Sequence, residues 1–252
     1  NILCNPLLWF LQHQMWSAPY TPNVDESVHD AWENGYRPVN QAFADAILAE
    51  ASKHDPSPIV VLHDYHLYLT AGMVRKDLPD ALIYHFIQIP WPSPDQWQLL
   101  PMGMRQAICS SLCSADLIGF QSTWDVHSFL ESCRRFLEGA LVDYEACLIN
   151  LNGHQTRVRA YPTSIDVQEV QRIATSPRVL DYDQVVESLC SEHTILRVDR
   201  TEPSKNIVRG FRAYQLFLQQ HPELHGRVTF LAFLVPSRTH VKQYERYQEE
   251  IN

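Results

Sequence analysis

The sequence predicts an α/β protein in which short parallel strands alternate with amphipathic helices. Apolar, β-prone runs alternate with helical periodicity over residues 58–137 and again over 194–251, which is the pattern of a doubly wound sheet. Of the 252 residues, 45% are hydrophobic, which is enough for a sizeable core. Twenty basic and 29 acidic residues give a formal charge of −9, so we expect no surface that binds nucleic acid or anionic lipid.

The first half of the chain predicts alternating strands and helices, followed by a hairpin. Strands are predicted at 58–62 (PIVVL), 81–89 (ALIYHFIQI) and 116–120 (DLIGF). Helices are predicted at 67–76, 104–114 and 124–137. Asn152-Gly153, between residues 146–151 and 157–161, is a strong hairpin signal and predicts an antiparallel addition to the sheet.

The strand signal weakens over residues 164–192, where polar residues dominate. We therefore expect one domain over residues 1–165, and a linker with a second domain over 166–252. The second domain repeats the alternation, with strands at 194–198 and 227–234 and helices at 205–219 and 239–251.

Cysteine spacing and hydropathy indicate a reduced, cytoplasmic protein. The six cysteines show no CxxC pair, so neither a zinc ribbon nor a disulfide framework is expected. No apolar run approaches the roughly 20 residues that cross a bilayer, and the first residues lack the features of a signal peptide. The chain has no initiator methionine and both ends fall within amphipathic segments, so we expect a fragment of a longer protein.

Polar residues that directly follow predicted strands are the first candidates for a site, because ligands of open α/β sheets bind beyond the carboxyl ends of the strands. His63, Asp64 and His66 follow the first strand, and a metal could be held by the two histidines. No second cluster supplies further ligands, so we predict no metal. Asp64 either caps the following helix, or presents an oxygen to a sugar hydroxyl, or does both.

Two cations follow the first strand of the second domain in a pattern that suits a diphosphate. Arg200 comes directly after the strand, and Lys205 is expected in the first turn of the next helix. A guanidinium binds phosphate through paired hydrogen bonds, an ammonium adds charge, and a helix N-terminus adds its dipole. Arg238 repeats the arrangement after the next strand. The alternative is that these are solvated surface cations.

Several stretches, in this order and spacing, resemble the trehalose-6-phosphate synthase family of retaining glycosyltransferases. They are NPLLW (5–9), GYRPVNQAFAD (35–45), HDYHLYL (63–69), IPWP (89–92), DLIGFQS (116–122), VDRTEPSKN (198–206) and VPSRTHVKQY (235–244). The resemblance implies a GT-B fold, α/β with two Rossmann-like doubly wound domains. Both domains would be incomplete here, with the acceptor bound mostly by the first and the nucleotide-sugar by the second.

By the same resemblance, the protein would transfer glucose from a nucleotide donor such as UDP-glucose to glucose 6-phosphate, without a metal or cofactor. Arg200 and Lys205 match the pair that holds the donor diphosphate. Near the acceptor sugar phosphate the matching residues are Trp9, Asp64 and Arg238, and Gln121 matches a polar position lining the cleft. The expected catalytic residues are Arg200, Lys205, Asp64 and Gln88. A homo-oligomer is left open.

Two departures from the family pattern keep alternatives open. Gln88 stands where the family has a histidine before IPWP, and a glutamine cannot carry a proton charge. VDRTEPSKN replaces the commoner VDRLDYxKG, which keeps both cations but changes the turn between them. The alternatives are a pseudo-glycosyltransferase that couples a nucleotide-cyclitol to an amino-cyclitol phosphate, and a non-catalytic regulatory homologue.

Overall fold

The chain forms two compact units, Asn1–Thr163 and Ser164–Asn252. The structure, a computed structural model, describes residues 2–15, 23–53, 58–238 and 241–252. Each unit contains its own sheet with helices. None of the described helices combines the length and the hydropathy that crossing a membrane requires.

The first unit is built on a mixed sheet of order β1-β2-β3-β6-β5-β4. Its strands are β1 (Ile59–His63), β2 (Leu82–Ile87), β3 (Leu117–Phe120), β4 (Leu141–Asp143), β5 (Leu148–Leu151) and β6 (His154–Ala160). The β1, β2, β3 and β6 strands run parallel in adjacent pairs, whereas β4 and β5 pair antiparallel. The predicted α/β class with a parallel sheet is confirmed.

The helices of the first unit lie before β1 and between consecutive strands from β1 to β4. They are α1 (Trp9–Gln12), α2 (Glu26–Asp30), α3 (Arg37–Ala51), α4 (Thr70–Asp77), α5 (Pro94–Trp97), α6 (Met102–Leu112) and α7 (Thr123–Phe136). Two π-helical segments, Leu3–Leu8 and Ala31–Tyr36, precede α1 and α3. Ser122 caps α7 by accepting a hydrogen bond from the Asp125 N–H. This cap explains why α7 begins directly after the end of β3.

The sheet of the first unit is covered on one face. Val60 and Leu62 of β1 and Ile83 of β2 are buried, whereas Ile59 and Val61 are exposed. The run of consecutive apolar residues at 58–62 predicts a buried strand, and the exposure of Ile59 and Val61 shows that this prediction is wrong for one face of β1. Successive side chains point to opposite faces of a sheet, and the described helices cover only one of them.

The predicted hairpin is confirmed between β5 and β6. Asn152 and Gly153 both have positive φ, 53° and 85°, as a two-residue turn of type I′ requires. The turn brings β5 back antiparallel to β6, and β6 also pairs parallel with β3.

The second unit contains a two-stranded parallel sheet of β7 (His193–Arg200) and β8 (Val228–Val235). Its helices are α8 (Val167–Ala174), α9 (Pro177–Glu187), α10 (Ile207–Gln220) and α11 (Lys242–Ile251). Short 3₁₀ turns, Pro203–Lys205 and Pro222–Leu224, lie on either side of α10. The roles of the two units as acceptor and donor domains stay predictions.

Candidate functional site

Three of the residues predicted for the site follow adjacent parallel strands of the first unit. Asp64 follows β1, Gln88 follows β2 and Gln121 follows β3. The register pairs His63 with Phe86, and Ile87 with Phe120, so the three strands end at the same edge. The structure therefore brings these polar side chains to one carboxyl edge, where ligands of such sheets bind.

Asp64 has a strained backbone that its neighbours hold in place. Its φ of 63° and ψ of −177° lie in a region that residues with a side chain rarely adopt. The Asp64 N–H donates to the Phe86 carbonyl (2.8 Å), and the Asp64 carbonyl accepts from Nε2 of His85 (3.0 Å). Its carboxylate makes no capping hydrogen bond to the turn Tyr65–Leu67, so the helix-cap interpretation is wrong.

His85 is a site-shaping residue that the sequence reasoning missed. It lies on the covered face of β2 and is only 1% exposed. Burial lowers the pKa of His85 to about 4, and its hydrogen bond to the Asp64 carbonyl has a smaller effect that raises the pKa. The ring is therefore neutral, with its proton on Nε2, where it donates to the Asp64 carbonyl. A signal was present, because His85 is in phase with buried Ile83 and Ile87.

Gln88 is exposed at the end of β2, and the segment after it is tightly anchored. The Trp91 N–H donates to Oδ1 of Asp125 (2.7 Å), and Nε1 of the Trp91 ring donates to Ser132 (3.1 Å). Nε2 of Gln12 donates to the Pro90 carbonyl (3.2 Å). Gln88 is thus an accessible amide next to a rigid support.

Trp9 and Gln121 are both held by residues near the sheet edge. Trp9 is only 7% exposed, and its ring lies 3.7 Å from the ring of His13 and 6.3 Å from that of Tyr65. Gln121 forms two hydrogen bonds with Thr163, one from its amide nitrogen to the hydroxyl (2.9 Å) and one from the Thr163 N–H (2.8 Å). Gln121 therefore fixes the chain that follows β6.

In the second unit, Arg200 ends β7 and pairs with a buried acid. Its Nη1 lies 3.1 Å from Oε1 of Glu202. The Arg200 side chain is 55% exposed, while that of Glu202 is 1% exposed. The same Glu202 oxygen accepts from the hydroxyl of Ser237 (3.0 Å), beyond the end of β8. Sequence reasoning did not identify Glu202.

Lys205 lies outside α10, contrary to the prediction. It ends the 3₁₀ turn Pro203–Lys205, and α10 begins at Ile207. Asn206 between them is left-handed, with φ 56°, which separates the turn from the helix. The Ile207 N–H at the helix start donates to the hydroxyl of Tyr247 (2.6 Å), so this donor already has an acceptor.

Arg238 follows β8 and contacts α11. Its Nη1 donates to the hydroxyl of Tyr244 (2.8 Å), and its guanidinium lies 5.5 Å from the centre of that ring. Its φ of 48° is left-handed. The aromatic contact fixes the position of a positive charge beyond the end of β8.

Among the described residues, no group of three or more His, Cys, Asp or Glu side chains is placed to hold a metal ion. His63 and His66 thus have no further ligands there. The six cysteines are free thiols, with Sγ of Cys113 and Cys133 3.6 Å apart in the core.

Comparisons with known proteins give consistent matches along the chain. The family model of glycosyltransferase family 20 matches residues 1–252. A bifunctional trehalose-6-phosphate synthase/phosphatase of Thermoproteus tenax is 34% identical over 86% of the chain and 29% of that protein. A validamine 7-phosphate valienyltransferase of Streptomyces hygroscopicus subsp. jinggangensis is 32% identical over 86% of the chain and 42% of that protein.

Solved structures agree with these sequence matches. A structure from Escherichia coli bound with UDP-2-fluoro glucose has a TM-score of 0.85 and is 27% identical, over 99% of this chain and 52% of that one. The predicted GT-B fold class is confirmed. The chain spans about half or less of the length of these three proteins.

Proposed function

Because the chain belongs to glycosyltransferase family 20, we propose that the full-length protein is a retaining glycosyltransferase. It moves glucose from a nucleotide-glucose donor to glucose 6-phosphate and gives trehalose 6-phosphate. The observation that carries this proposal is the placement of predicted site residues at the carboxyl ends of parallel strands, Asp64, Gln88 and Gln121 in the first unit and Arg200 and Arg238 in the second.

On the donor side, Arg200 and Lys205 bind the diphosphate. The bond between the anomeric carbon and the diphosphate oxygen breaks, and negative charge develops on the departing nucleotide. A half-exposed guanidinium and an exposed ammonium can both reach such an anion. Loss of one donor aimed at developing charge typically costs about 3–4 kcal/mol of barrier, or a hundredfold or more in rate.

On the acceptor side, Asp64 accepts a hydrogen bond from a sugar hydroxyl, and Trp9 and Gln121 of the same unit bind the sugar phosphate with it. Arg238, in the second unit, binds phosphate. The acceptor hydroxyl oxygen bonds to the anomeric carbon, and its proton passes to the departing diphosphate on the same face. The strained backbone of Asp64 supports this role, because such strain is concentrated at functional sites. Gln88, exposed beside the edge, hydrogen-bonds the transferred sugar without carrying charge.

A second candidate function is favoured by two specific observations. Gln88 replaces a histidine of the family pattern, and one relative bears the name validamine 7-phosphate valienyltransferase. On that reading the protein couples a nucleotide-cyclitol to an amino-cyclitol phosphate on the same scaffold. A non-catalytic homologue that binds the ligands for regulation is the third candidate, because fold alone does not establish activity.

One assay on the full-length protein separates the three candidates. Nucleotide release is measured from UDP-, GDP- and ADP-glucose, with and without glucose 6-phosphate, and from a nucleotide-cyclitol with an amino-cyclitol phosphate; binding of the same ligands is measured by calorimetry. Release that requires glucose 6-phosphate, with trehalose 6-phosphate as product, supports the first candidate. Release only from a nucleotide-cyclitol with an amino-cyclitol phosphate supports the second, and binding without turnover supports the third. A Gln88→His variant that gains glucosyl transfer would identify Gln88 as a specialising change.

The cellular location and assembly of the protein remain predictions. A cytoplasmic location agrees with the free thiols of all six cysteines. The expected partners are a nucleotide-sugar and a sugar phosphate, with no nucleic acid and no membrane.

A further inference from the structure

Glu202 is a buried carboxylate with several partners at the end of the β7–β8 sheet. Its side chain is 1% exposed, and a buried carboxylate is stable only when other groups satisfy it. Oε1 lies 3.1 Å from Nη1 of Arg200 and accepts from the Ser237 hydroxyl at 3.0 Å. Oε2 accepts from the Ser204 hydroxyl at 3.4 Å.

Each of these partners is a proposed phosphate-binding cation or its neighbour in sequence. Arg200 is bound directly, Ser204 precedes Lys205, and Ser237 precedes Arg238. The main chain adds two links, because Glu202 N–H donates to the Arg200 carbonyl (2.8 Å) and Lys205 N–H donates to the Glu202 carbonyl (3.0 Å). One acidic residue therefore connects all three cation-bearing segments within the second unit.

We propose that Glu202 is a positioning residue for phosphate binding, which holds these segments at one end of the β7–β8 sheet. The inference rests on the proposed function. Arg200 is 55% exposed and pairs with Glu202 through Nη1, so the guanidinium keeps further N–H groups for a ligand. Glu202 itself, being buried, acts through Arg200 and through the turns that carry Lys205 and Arg238.

The test measures diphosphate affinity of the full-length protein by calorimetry. UDP, GDP and ADP are titrated into the wild type, and the tightest binder is used for all variants. Glu202→Gln keeps the shape but removes the charge, and we expect about tenfold weaker binding, as for loss of one charge-assisted hydrogen bond. Because part of the effect of Glu202 passes through Arg200, Glu202→Gln should weaken binding less in the Arg200→Ala background than in the wild type.

The matched control is Glu192→Gln. Glu192 pairs with Arg227 at the opposite end of the same two strands (2.7 Å), and this variant should bind like the wild type. If Glu202→Gln does not fold, Ser237→Ala removes one partner of the carboxylate and should weaken binding about threefold.

Two outcomes separate failure of the inference from failure of the proposed function. Glu202 has no positioning role if Arg200→Ala weakens binding while Glu202→Gln binds like the wild type; where Glu202→Gln does not fold, Ser237→Ala takes its place in this comparison. Glu202 also has no positioning role if the losses of the two single variants add fully in the double variant. If no diphosphate binds the wild type, or if Arg200→Ala binds as tightly as the wild type, the proposed function fails, and the inference fails with it.

Discussion

His85 gives the first unit a pH dependence of stability that follows from its burial. Its pKa falls from 6.5 to about 4, chiefly through burial, with a minor lowering by His63 and an opposing effect of the Asp64 carbonyl. Between these two pKa values the unfolded chain binds a proton on His85 that the folded chain does not bind. The contribution of neutral His85 to the free energy of unfolding is therefore complete above about pH 6.5 and decreases as the pH falls towards 4. Between pH 7 and pH 5 the expected loss is about 2 kcal/mol.

Urea denaturation of the chain at both pH values measures this loss. All six tryptophans lie at or before residue 124, so their fluorescence reports unfolding of the first unit. His85→Phe should reduce the difference between pH 7 and pH 5 by about 2 kcal/mol. His29→Phe, at an exposed position of α2, should keep the wild-type difference. Equal pH dependence in the wild type and His85→Phe would refute the reasoning.

Three further predictions concern the first unit. Gly72→Ala would place a Cβ 2.9 Å from Oγ and 3.2 Å from Cα of Ser111, so we expect a loss of about 1–3 kcal/mol in urea denaturation; a more stable variant would contradict this. Asp125→Ala leaves the buried Trp91 N–H without its acceptor and should lower the free energy of unfolding by about 2–3 kcal/mol. Asp95→Ala, at an exposed position, should lower it by less than about 0.5 kcal/mol. Equal losses in the two variants would count against this role of Asp125. Asp64→Gly relieves the positive φ, so the full-length variant should melt no lower than the wild type while its KM for the acceptor rises; a lower melting temperature would argue that Asp64 is not strained.

The strands and helices were predictable because their signals are local. The apolar runs before Asp64, Gln88 and Gln121 predict three neighbouring strands, and general rules for parallel sheets then place these residues at one edge. The Asn152-Gly153 turn was predictable for the same reason, since its positive φ values favour those two residue types.

Features that depend on tertiary packing were not predictable. Nothing in the local sequence distinguishes Glu202, which is buried, from Asp199, which is partly exposed. The start of α10 was placed too early, because Asn206 is left-handed and the N–H of Ile207 donates to the hydroxyl of Tyr247, 40 residues further along the chain. The strain at Asp64 likewise depends on His85, on the next strand.

The most direct test of the account is the nucleotide release by two arginine variants of the full-length protein. Arg200 and Arg227 lie at opposite ends of the β7–β8 sheet, and each pairs with a glutamate. Sugar-phosphate-dependent nucleotide release should fall a hundredfold or more in Arg200→Ala, with the fold retained by circular dichroism, and should stay at the wild-type rate in Arg227→Ala. Near-normal turnover in Arg200→Ala would contradict the assignment of this strand end to the donor diphosphate.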